Sequence, residues 1–82
     1  MHACDLCFPS YDASAHHAQI RWALLVHRDV RELLQTPHAD TLRLLHRGEA
    51  DPEAWARTLV EAGFPAPRVE PAGASWGQRR AS

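Results

Sequence analysis

Apolar positions along this chain recur mostly three and four residues apart. Over residues 13–35, Trp22, Ala23, Val26, Val30, Leu33 and Leu34 fall on one side of a helical wheel, with Arg21, Arg28, Glu32 and Gln35 opposite. That spacing predicts an amphipathic helix of 3.6 residues per turn. Asp12 or Ser14 is placed to accept its first free amide hydrogens, and Pro37 ends it, because the residue before a proline is pushed out of the helical region. Leu24 and Leu25 fall outside the stripe and widen it, which predicts a helix with more than one neighbour.

Thr36-Pro37 reads as a second helix start, threonine at the N-cap and proline in the first turn, and predicts a short helix over residues 37–47. Its inner face would be Ala39, Leu42 and Leu45, and Gly48 would end it in a left-handed conformation. Asp51-Pro52-Glu53 repeats the signal with acidic charge in the first turn, where the helix dipole favours it. Trp55, Ala56, Leu59, Val60 and Ala62 give a third stripe, and Gly63-Phe64 the expected stop, with Phe64 folding back on Leu59. No segment alternates as a strand should. The expected fold is therefore all-α: an irregular N-terminal segment over residues 1–12, a three-helix domain over 13–64, and a flexible tail over 65–82. The tail holds Pro65, Pro67 and Pro71 and few large apolar residues, Val69 and Trp76 among them, too little to repay its ordering entropy.

Composition narrows the function. With 82 residues and a net charge of −1, the chain is one small domain, and such a domain hides only about 60–65% of the surface its unfolded form exposes. The longest apolar stretch, residues 20–26, contains Arg21 and is far too short to span a bilayer. No secretory signal pattern is present, so a soluble, cytoplasmic protein is expected. All nine cationic residues are arginine, and they are balanced by acids, so the electrostatic footprint of a nucleic-acid binder is missing. The second and third predicted helices could form a helix-turn-helix. The outer face of the third offers Glu53, Arg57, Thr58 and Glu61, two anions against one cation, which argues against the major groove.

The one stretch with chemistry of its own is MHACDLCFPSYDASAHH. Two cysteines at this spacing are the half-site of many structural zinc centres. Cys4 and Cys7 with His16 and Asp12 form the candidate metal set, and zinc the candidate cofactor. A redox pair is the weaker reading, since Phe8-Pro9 follows where a helix that lowers the thiol pKa should begin. No catalytic constellation is apparent. An enzyme is the third reading, and a small subunit of a larger enzyme complex fits better than an independent catalyst.

Trp22, Leu24, Leu25 and Trp55 supply more apolar area than three short helices need, so they are the expected interface. The expected function is a non-enzymatic accessory subunit or adaptor that associates through a helix with a larger protein or with its own copy. A zinc-binding regulatory domain is the alternative. The run ADPEAWARTLVEAGF resembles, in its acid-proline start and glycine-phenylalanine stop, the helical leader peptides that precede a modified core peptide. That resemblance implies a precursor role as a minor alternative beside DNA binding.

Overall fold

The computed structural model describes residues 2–71. In chain order these form β1 (His2–Cys7), a 3-10 turn (Ser14–His16), α1 (His17–Leu24), β2 (Val30–Gln35), β3 (Thr41–His46), α2 (Pro52–Glu61) and β4 (Arg68–Pro71). The strands make one sheet in the order β2-β3-β1-β4, every neighbouring pair antiparallel. This is the split βαβ arrangement of ferredoxin-like folds, in which each helix crosses between strands that do not pair with each other.

The all-α, three-helix expectation is thus wrong in four places. Within the N-terminal segment expected to be irregular, His2–Cys7 is an inner strand, paired on both sides. The long first helix stops at Leu24, and residues 30–35 are a strand. The predicted second helix is a hairpin loop followed by β3. The tail expected to be flexible contributes β4, and Trp76 lies outside the described residues.

The reasons are physical. VRELLQ and TLRLLH are too short for periodicity to separate strand from helix. In β3, Leu42, Leu44 and His46 face inward while Thr41, Arg43 and Leu45 face the other side of the sheet, the period of two that a strand imposes. β2 does the same after a bulge between Val30 and Glu32, which brings Leu33 opposite Leu44. Thr36 does cap, but it caps a turn. Its hydroxyl accepts the His38 amide (3.1 Å) and donates to the Thr41 carbonyl (2.8 Å), closing the β2–β3 loop. Gly48 has the left-handed backbone expected of it (φ +66°), at the end of a strand instead of a helix.

Both helices lie on the Cys4–Leu6 face of the sheet. Ile20 and Leu24 of α1 and Trp55 and Leu59 of α2 close over Cys4, Leu6, Leu33, Leu42 and Leu44 in one core, with Phe8 and Ala13 filling its end. α2 has the limits the sequence suggested. Asp51 accepts the Ala54 amide at 3.4 Å, Pro52 opens the helix, and the Phe64 amide reaches back to the Leu59 carbonyl at 2.9 Å through Gly63 at φ +97°. On the other face, Asp5 and its cross-strand neighbour Arg43 form a two-pronged ion pair at 2.9 and 3.3 Å. Among the described residues, no helix is long and apolar enough to cross a membrane.

Candidate functional site

Two places on this frame carry more than folding requires. The first is the outer side of α1. The 3-10 turn and α1 run antiparallel to the edge strand β2 and fasten to it three times. The Ser14 carbonyl and hydroxyl accept the Gln35 side-chain amide (3.2 Å each), the His17 ring donates to the Leu33 carbonyl (2.6 Å), and Arg21 pairs with Glu32. Glu32 in turn accepts the Leu33 amide at 2.9 Å. The Arg21 guanidinium first, and the Leu33 amide second, hold the Glu32 carboxyl below the usual carboxylate range. Both outward backbone groups of Leu33 are therefore occupied by side chains, and this edge does not invite a further strand. At the other edge β4 is four residues long and ends on Pro71, which has no amide hydrogen to offer.

With the edges closed, α1 presents Trp22 outward, beside the exposed Ala18 and Gln19. Trp22 is 78% exposed and Val26 73%, and with the half-buried Leu25 they line a shallow pocket of about 200 Å³. Trp22 is in the last turn of α1, Leu25 is its cap and Val26 is in the turn that follows. His27, one residue on, shares a 2.7 Å hydrogen bond with the Thr58 hydroxyl of α2, so this end of α1 is tied to the rest of the domain.

The second place is one end of the sheet. His2 and His46 are cross-strand partners on β1 and β3, and Cys4 lies two residues from His2 on the same face. The Cys4 Sγ is 3.4 Å from His46 Nε2, and the rings of His2 and His46 are 5.6 Å apart. His46 is only 2% exposed, its ring meets Trp55 edge-on at 5.1 Å, and its Nδ1 has no hydrogen-bond partner. A buried polar atom left in that state costs about 1–3 kcal/mol. Burial, and secondarily the Asp5 charge, pushes the Cys4 thiol up, so it rests as S–H. A cavity of about 460 Å³ opens here, with His2, Cys4, His46, Glu49, Ala50 and Pro71 in its wall.

The structure scatters the metal set read from the sequence. Three residues apart on a strand means opposite faces, so Cys4 faces the helices while Cys7, on the other side, receives the Thr41 hydroxyl at 3.8 Å. Asp12 accepts the Ala15 amide (3.1 Å) at the start of the 3-10 turn, and His16 bonds the Asp12 carbonyl and stacks on Tyr11. Among the described residues, no three histidine, cysteine or acidic side chains are grouped so as to hold an ion. Of the expected interface, Trp22 and Leu25 share one surface, whereas Leu24 and Trp55 are core residues at 0% exposure and belong to no surface of the folded chain. Val26 joins Trp22 at this surface, and their common place in the apolar stripe was the signal for it. No local signal marks the Cys4–His46 pair, whose members are 42 residues apart.

No protein-family model, no curated protein and no solved structure matches this chain.

Proposed function

We propose that this protein is a small non-enzymatic adaptor, a cytoplasmic accessory subunit that docks α1 into an apolar groove of a larger protein. The observation that carries this reading is the exposure of Trp22 in the last turn of α1 and of Val26 in the turn just past its cap, while Ile20 and Leu24 on the opposite side of the helix are buried in the core. A tryptophan exposed to this degree adds nothing to the core, and a helix recognised in a groove presents large apolar anchors on one side, as Trp22 does here with Leu25 at the cap and Val26 in the turn that follows. Tryptophan is also among the residues most often found to dominate binding energy. Three side chains offer a few hundred Å², well short of the ~800 Å² each partner contributes to a standard interface. The patch therefore works as an anchor inside a larger footprint, which suits a concave partner better than a flat pairing of two copies.

The test places a photo-crosslinking amino acid at Val26 and, as a control at the opposite edge of the sheet, at the exposed Arg68 of β4. A single larger protein captured from Val26 alone, which when purified binds the wild type and binds Trp22→Glu at least tenfold more weakly, supports the proposal. Crosslinks only between copies of this chain would replace the larger partner with a second copy. Equal capture from both positions, or binding indifferent to Trp22→Glu, would overturn it.

A further inference from the structure

We propose that the Cys4 thiol and the imidazoles of His46 and His2 form a binding site for a divalent metal ion of the zinc class at the cavity beneath the end of the sheet. Ligand bonds of about 2.3 Å to sulfur and 2.0–2.1 Å to nitrogen put two vertices of a tetrahedral zinc centre about 3.5 Å apart, and Cys4 Sγ and His46 Nε2 stand at 3.4 Å. Two imidazoles on one such ion have ring centres roughly 5–5.5 Å apart, and those of His2 and His46 are 5.6 Å apart. All three side chains leave one face of the sheet, His2 and His46 as direct cross-strand partners.

As they stand, the donors do not yet surround one point. Two of them are fixed in the core, so the third must turn in, and His2 is exposed and able to do so. The fourth position falls to water or to Glu49, which shares the cavity wall. The site differs from the usual cysteine-pair arrangement because its ligands come from two strands, and Cys7 is excluded by facing the other side of the sheet. Binding exchanges one proton for the ion: the Cys4 S–H bond breaks, the proton passes to buffer, and the sulfur pair is donated to the metal.

The experiment uses the tag-free full chain and cobalt(II) as an optical substitute for zinc. One equivalent should produce a thiolate-to-cobalt charge-transfer band, displaced by one equivalent of zinc, with one proton released per ion bound. The band should vanish in Cys4→Ser, survive in Cys7→Ser, and need at least tenfold more cobalt in His2→Ala. Cys4 is in the core, so if Cys4→Ser does not fold, the two variants at less buried positions decide the matter alone. Absence of the band in the folded wild type, its loss with Cys7, or indifference to His2→Ala would overturn the proposal.

Discussion

The two helices of this domain cover the same sheet, and each carries one tryptophan, yet the tryptophans have opposite fates. Trp55 of α2 is completely buried against His46 and the leucines of β1 and β3, while Trp22 of α1 stands 78% exposed. α2 is fixed by apolar contact and by signals at both ends, Asp51 at the start and the Gly63-Phe64 reversal at the stop. α1 buries only Ile20 and Leu24 and depends on polar links from Ser14, His17 and Arg21 to the edge of β2. The contrast teaches that the same residue type is structural on one helix and available for recognition on the other. The difference lies in which side of each helix the sheet occupies.

The contrast is sharpest if the tryptophans are removed one at a time. Truncating a buried aromatic side chain typically costs 3–5 kcal/mol, and in a domain of this size each kcal/mol lowers the melting temperature by roughly 4–8 °C. Trp55→Ala should therefore melt at least ~12 °C below wild type by circular dichroism, or fail to fold; a drop of only a few degrees would mean that α2 is not the main clamp on the sheet. The second effect in size is at the cap. Asp51→Ala should cost about 1 kcal/mol, because it leaves the Ala54 amide without its acceptor, and Asp51→Asn, which keeps an acceptor oxygen, should restore most of it in the same melts. Trp22→Ala should change stability by less than about 0.5 kcal/mol, as exposed substitutions do. Comparable losses for Trp22→Ala and Trp55→Ala would erase the distinction drawn between the two helices.

The smallest effect tests the polar fastening of α1. In the folded protein the Glu32 carboxyl is held below its ordinary range by Arg21 and the Leu33 amide. A group whose folded pKa is depressed contributes stability above its unfolded pKa, near 4.3 for glutamate, and loses it as the pH falls toward the lower folded value. Glu32→Gln should therefore lower the melting temperature slightly at neutral pH, the gap should close only as the pH falls from about 4.3 through the lower folded pKa, and salt should shrink it, since the pair is partly exposed. A gap that persists in acid would show that Glu32 acts through packing and not through its charge.

Much of α2 was legible in the sequence because its determinants are local: a cap three residues from the amide it receives, a proline in the first turn, a glycine in a left-handed turn, and a stripe with a single phase. Trp22 was only half legible: its spacing put it in the apolar stripe of the helix and its size put it in the expected interface, and the folded chain leaves it 78% exposed with Leu25 half-buried against the core. The phase of α1 was not legible. Residues 20–26 are apolar on nearly every side, and the sheet selected Ile20 and Leu24 as its inner face. The strands were hidden for the same kind of reason. Six-residue leucine-rich segments satisfy either period, and Thr36-Pro37 and Gly48 serve a hairpin as well as they serve a helix.

Only the tertiary structure decided that β1 would run between β3 and β4. That placement makes 30–35 and 41–46 strands, sends Cys4 and Cys7 to opposite faces, and sets the Cys4 thiol against an imidazole 42 residues away. The sequence by itself determined the local punctuation, the near-neutral charge and the surplus of large apolar side chains, because turns, caps and composition are settled over a few residues. Which strand neighbours which, and which side chain is left outside, depends on burial summed over the whole chain, and no window of the sequence contains that sum.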